Sequence, residues 1–272
     1  MTWQPLPLAE VDDERSYGGK AVALGAALRH GLPVPPGIAL PADLVADVAR
    51  DESARNVVRA VARELGGPLA VRSSAVGEDS AASSFAGQHR TVLNVWDPDT
   101  VVDAVCQVEQ SARAPSALAY RRARGDVSTP RCGVLLQRLV PAVAAGVLFS
   151  RNPVTGADEL VIEASWALGE AVVDGLVSPD LFRLDKEGHL LEQVVGDKDR
   201  AVVPRPGEGT RTVVVAADRA RQPCLGRREL GAVTRLARRC DEVFGGPSDL
   251  EWAATPTGVS LLQRRSITTS VH

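Results

Sequence analysis

Three stretches of the sequence carry residues that could do chemistry together. In YGGKA (17–21) a lysine, Lys20, follows two glycines. In VRSSAVGEDSAASSFAGQ (71–88) an arginine, Arg72, heads a run of serines, acidic residues and glycines. In SDLEWAATPTGVSLLQRRS (248–266) two alternating runs flank PTG, the pattern of a β-hairpin. Reflection about Thr257 sets Glu251 opposite Gln263. Asp249 and Arg265 then fall on the same face, and Leu250, Trp252 and Leu262 on the other.

Arginine offers a planar fork to phosphate oxygens, and lysine a compact positive charge. Small residues let backbone amides come close to a polyphosphate, and the first amides of a helix favour an anion. SFAGQ (84–88) reads as a mobile cover over such a ligand. A carboxylate beside a carboxamide suits Mg²⁺, which takes few protein oxygens and completes its shell with phosphate and water. Taken alone, the hairpin also reads as a solvent-facing turn with an incidental pair, and GGK as an ordinary helix start. YGGKA is not a Walker A loop, because Glu14 and Ala21 stand where that motif needs glycine and Ser or Thr.

The surrounding sequence supplies elements that could position these groups. KAVALGAALRHG (20–31) reads as a helix closed by Gly31, and a second helix is expected from about Asp43 to Leu65, closed by Gly66. PLAVRSS (68–74) is a buried strand with Arg72 at its end, and HRTVLNV (89–95) is a strand after the polar loop. Residues 98–124 read as helical with a break at Pro115. From 132 onward short apolar runs between turn residues predict a mostly antiparallel sheet. PRPGEGTRTVVVAADRARQP (204–223) reads as a loose loop around one short strand, and GRRELGAVTRLARRCDEVFG (226–245) as an amphipathic helix. The turn-rich stretch 122–132 marks the expected division into lobes 1–130 and 131–272.

Bulk properties remove several function classes. The formal net charge of −3 leaves no electrostatic footprint for nucleic acid or anionic membrane. The longest apolar run, LVPAVAAGVLF (139–149), is too short to span a bilayer and is broken by Pro141 and Gly146. Cys106, Cys132, Cys224 and Cys240 show no metal-binding spacing and read as reduced thiols, and the first residues lack a signal-peptide pattern. A cytoplasmic protein is expected.

The motifs GGK, VRSSAVGEDSAASSFAGQ, LLQRLV, GVLFSRNPVTG, ASWALGEAVVDGLVSPD, DLEWA and LLQRRS, in this order, resemble the ATP-binding domain of the phosphoenolpyruvate synthase, pyruvate phosphate dikinase and rifampin phosphotransferase family. The resemblance covers nearly the whole chain. It implies an α+β ATP-grasp fold with ATP held in a cleft between two lobes. It implies that Lys20 and Arg72 hold the ATP phosphates and that Gly87 and Thr91 belong to the glycine-rich lid and its following strand. Gln137 would sit by the adenine or ribose. Glu251 and Gln263 would bind magnesium and nucleotide, and Arg265 would contact the transferred phosphate. Glu170 and Lys198 also fall in motifs, as salt-bridge or ATP-contact residues.

The sequence departs from the family where Ser266 replaces the proline of a QxRP motif. Longer relatives pass phosphate to a histidine on a swivelling domain. None of His30, His89, His189 and His272 lies in such a Thr/Ser/Gly-rich motif. The resemblance therefore implies an Mg-ATP-dependent phosphotransferase whose acceptor is a phosphohistidine domain on a separate chain or a small molecule. The alternatives are an ATP-grasp ligase that activates a carboxylate and an ATP-binding regulatory subunit without turnover.

Overall fold

The computed structural model describes residues 3–75, 90–114 and 131–267. They form two compact units. Unit 1 gathers residues 1–28, 35–139 and 204–209, and unit 2 gathers 29–34, 140–203 and 210–272. Both units combine antiparallel sheet with helices, the α+β organisation expected.

Unit 1 runs through β1 (Leu6–Pro7), α1 (Glu14–Tyr17), α2 (Gly19–Arg29), β2 (Gly37–Leu40), α3 (Ala42–Asp47), α4 (Glu52–Leu65), β3 (Leu69–Ala75), β4 (Thr91–Val95), α5 (Pro98–Ala112) and β5 (Cys132–Arg138). Its sheet has the order β1-β2-β5-β3-β4, with every pairing antiparallel. Strand β5, read from sequence with the later sheet region, lies between β2 and β3. One face of this sheet presents Ile38, Leu40, Leu69, Val71, Val134 and Leu136 to the buried apolar residues of α3, α4 and α5.

The single helix expected over 43–65 is two helices. Asp51 is the reason: its carboxylate accepts a hydrogen bond from Ser53 N at 2.7 Å and starts α4 afresh. Gly66 closes α4 with φ +60°, as its place in the sequence predicts. Helix α5 starts at an Asp97 cap followed by Pro98. The stretch around Pro115 lies outside the described residues.

Unit 2 contains β6 (Ala144–Phe149), β7 (Leu160–Trp166), α6 (Glu170–Val173), β8 (Asp180–Leu184), β9 (Leu190–Val194), β10 (Arg200–Pro204), β11 (Thr210–Val214), α7 (Ala217–Ala220), α8 (Arg227–Phe244), β12 (Ser248–Thr255) and β13 (Gly258–Ser266). The order of its main sheet is β13-β12-β6-β7-β8-β9, antiparallel throughout. Helix α8 lies against β12 and β13. Gly146 in β6 has no room for a side chain, because a Cβ there would lie 1.9 Å from Glu163 O.

The stretch 204–223, expected as a loop around one strand, contains β10, β11 and α7. The β10–β11 tip, residues 204–209, groups with unit 1. There Asn94, an extra residue where the β3–β4 register shifts, adopts φ +59°. Its amide donates to the carbonyls of Arg205, Gly207 and Gly209 at 3.0, 3.3 and 2.8 Å. Glu208 accepts from the backbone amides of Trp96 and Asp97. No described helix is long and apolar enough to cross a membrane.

Candidate functional site

In unit 1 the predicted residues share one face of the sheet. Residues directly opposite in a ladder share a face, and so do residues two apart on one strand. Arg72 pairs with Thr91 and with Leu135, and Gln137 pairs with Ala70. Arg72, Thr91 and Gln137 therefore stand on the face opposite the helix-covered core. Arg72 lies in the middle of β3, not at its end, because the strand continues to Ala75. Its guanidinium is buried and sits 3.5 Å from Gln137 Oε1. Gln137 Nε2 donates to Pro35 O at 3.0 Å, which fixes the carboxamide.

Lys20 is in the first turn of α2, and its ammonium donates to Ser73 O at 2.8 Å. Helix α2 is seated on β3 by Ser74, whose hydroxyl accepts from Ala21 N at 3.0 Å. The approach depends on Gly18. A Cβ there would meet Ser74 O at 1.9 Å, and its φ of +81° suits glycine alone. Gly18→Ala is expected to lift α2 off β3 and cost roughly 2 kcal/mol or more. A lowered denaturation midpoint with unchanged slope checks this. Gly87 and the segment 84–88 lie outside the described residues.

In unit 2 the hairpin pairs Glu251 with Gln263 and Asp249 with Arg265, as reflection about Thr257 predicts. The route to that register differs. The turn is the two-residue Pro256–Thr257, with Thr255 opposite Gly258, and Gly258 does not take a positive φ. Thr255 Oγ1 closes the turn by accepting from Thr257 N and donating to Gly258 O. A one-residue shift next to Trp252 then adds Leu262 as an extra residue. This bulge moves Gln263 and Arg265 onto the face of Glu251 and Asp249. It also puts Leu261, fully buried, opposite Trp252, where Leu262 was expected.

The row continues across the sheet. Glu251 pairs with Val147, and Val147 with Glu163, so Gln263, Glu251, Val147 and Glu163 project from one face. The Asp249–Arg265 pair stands one step along, with an N–O separation of 3.9 Å. Sequence reading missed Glu163, although a lone acid inside the apolar run LVIEASW was its signal.

Of the two motif residues without an assigned role, Lys198 is structural. It is fully buried, and its ammonium donates to Asp180 Oδ1 at 2.5 Å and to the carbonyls of Gly196 and Ala220 at 3.1 Å each. Asp180 in turn accepts from the amides of Gly196 and Cys224. Glu170 opens α6. Burial, reinforced by nearby Asp174, pushes its carboxyl above the usual range against a hydrogen bond from Thr210. Of the histidines, His30 and His189 are exposed, and His189 pairs with Asp185. His89 and His272 lie outside the described residues.

Residues 51–272 match the family model of the pyruvate phosphate dikinase AMP/ATP-binding domain. The chain belongs to this family. Arg72, Thr91, Gln137, Glu251, Gln263 and Arg265 lie within the matched residues, and Lys20 precedes them. A probable phosphoenolpyruvate synthase of Methanothermobacter thermautotrophicus is 32% identical over 95% of the chain and 45% of its own length. A rifampicin phosphotransferase of Streptomyces sviceus is 37% identical over 80% of the chain and 26% of its own length. A prodigiosin synthesizing transferase of Serratia marcescens is 35% identical over 93% and 31%. The chain thus spans less than half the length of each of these relatives. Among solved structures, a dinucleotide-forming acetyl-coenzyme A synthetase of Ca. Korarchaeum cryptofilum, in complex with coenzyme A and Ca-AMPCP, aligns over 93% of both chains. Its TM-score is 0.48 and its identity 14%.

Proposed function

We propose that this domain, read as an ATP-grasp fold, binds Mg-ATP and passes a phosphoryl or pyrophosphoryl group to an acceptor. That acceptor is a histidine on a partner domain or a small molecule. The placement of Glu251 directly opposite Gln263, with Arg265 one step along the same face, carries the reading. Opposed residues of a ladder have Cβ atoms about 5 Å apart, so a carboxylate and a carboxamide oxygen can converge on one small cation. The donor set fits Mg²⁺ held jointly with phosphate oxygens, and Glu251 and Gln263 would hold it. Bound there, the ion would offset charge on the phosphates.

The chain's own residues do the rest by positioning and by charge. Arg72 and Lys20 hold the phosphates on the unit 1 face, with Thr91 beside Arg72. Gln137, fixed by Pro35 O, offers its carboxamide to the base or ribose. Arg265 meets the group being transferred. Little covalent chemistry is asked of the protein in such a transfer.

Glu251→Gln tests this directly. The variant is expected to keep part of its nucleotide affinity and to lose Mg²⁺-dependent turnover by at least about 100-fold. Turnover is read by resolving ATP, ADP and AMP in the presence of the source cell's extract, which supplies the acceptor. Surviving activity removes the hairpin as the metal site. Nucleotide loss that needs both a carboxylate and an amine would favour the ligase alternative. Binding without loss under any condition would favour a regulatory subunit.

A further inference from the structure

We infer that Glu163 is a specificity-determining residue that accepts hydrogen bonds from the vicinal diol of a ribonucleotide, with Ser165 supporting it. The inference rests on the Mg-ATP reading above and names a further contact of that site.

Glu163 is half-buried in β7 and makes no hydrogen bond or ion pair with the described residues. Its neighbours along the row are Val147 and Leu181, and Arg183, the cation one step along the same face of β8, is taken up by Glu159 and Glu192. Two residues along the same strand, and hence on the same face, Ser165 is 1% exposed and its hydroxyl has no partner. Buried polar groups are normally paired, so two adjacent unsatisfied side chains on one face call for a ligand.

The chemistry of that ligand follows from the donor set. A carboxylate is an acceptor with two oxygens, and a serine hydroxyl can accept or donate. No three His, Cys, Asp or Glu side chains among the described residues are gathered to hold a metal ion, so Glu163 would be a one-carboxylate cation site. It is, however, well matched to a pair of adjacent hydroxyls. Its position agrees. Glu163 stands two strands from Glu251, on the order of 10 Å at the ordinary spacing of a sheet. A nucleotide whose phosphates are held at Glu251 and Gln263 spans that distance to its ribose.

The test uses calorimetric binding of ATP, 2′-deoxy-ATP and 3′-deoxy-ATP with Mg²⁺ to the whole chain. The unmodified protein is expected to prefer ATP by about tenfold over either deoxynucleotide. Glu163→Ala should weaken ATP about tenfold, leave the deoxynucleotides nearly unchanged and bring the preference close to one. Glu163→Gln should give an intermediate preference, since one acceptor oxygen remains. Ser165→Ala should reduce the preference by a smaller factor. A Glu163→Ala protein that is folded by circular dichroism and keeps the full preference overturns the inference. So does one that weakens all three nucleotides equally. In both cases ATP binding by the unmodified protein, and its loss of turnover in Glu251→Gln, leave the underlying reading intact. Failure of the unmodified protein to bind ATP sinks that reading and this inference with it.

Discussion

Arg72→Ala is expected to weaken Mg-ATP binding by about 100-fold, the largest binding effect of any single change in this domain. Arg72 is 7% exposed, held in mid-strand between β4 and β5, with Gln137 beside it. Strand backbone on both sides leaves it little freedom to lose when a phosphate arrives, so most of its interaction appears as affinity. Arg72→Lys should recover only part of the loss, because an ammonium cannot reproduce the bidentate fork. Titration calorimetry on the two variants and the parent gives the order. Equal affinity in all three would remove Arg72 from the phosphate site.

Lys198→Met is expected to have the largest effect on stability, about 3–5 kcal/mol, because it strands the Asp180 carboxylate in a fully buried position. For a chain of this size that corresponds to a fall in melting temperature on the order of 10 °C. The double change Asp180→Asn with Lys198→Met should restore part of the loss, since no lone charge is left inside and the carboxamide oxygen still accepts from a backbone amide. Thermal unfolding of the single and double variants decides it. If the single change costs no stability, the pair is not the knot its geometry describes.

Much of this was open to reading in the sequence, and the residues show why the rest was not. Reflection about Thr257 names Gln263 as the partner of Glu251, but the pairing itself arises from a two-residue turn offset by the bulge at Leu262. The bulge at Leu262 depends on how the strand twists against β12, so Leu261 rather than Leu262 took the buried place beside Trp252. The break before α4 was visible in Asp51, yet apolar spacing that continues across it masks the cap. Lys198 was ambiguous because its partner lies 18 residues away and its other acceptors are carbonyls. Arg72, Thr91 and Gln137 were named by motif, but their common face follows only from the pairing of β3 with both β4 and β5.

The grip of Asn94 on residues 204–209 also bears on when the protein can fold. Strand β3 finds its neighbour β5 only after some 60 further residues have been made, and the carbonyls that satisfy the Asn94 amide arrive more than 100 residues after it. Contacts so distant along the chain slow folding, because closing the long loops costs entropy before the pairing repays it. A nascent chain that has left the ribosome only as far as Leu139 has every strand of its first sheet and still lacks the acceptors for a buried amide. Its β4 edge is therefore left open to intermolecular pairing until about residue 209 emerges, and chaperone engagement in synthesis should be concentrated in that interval.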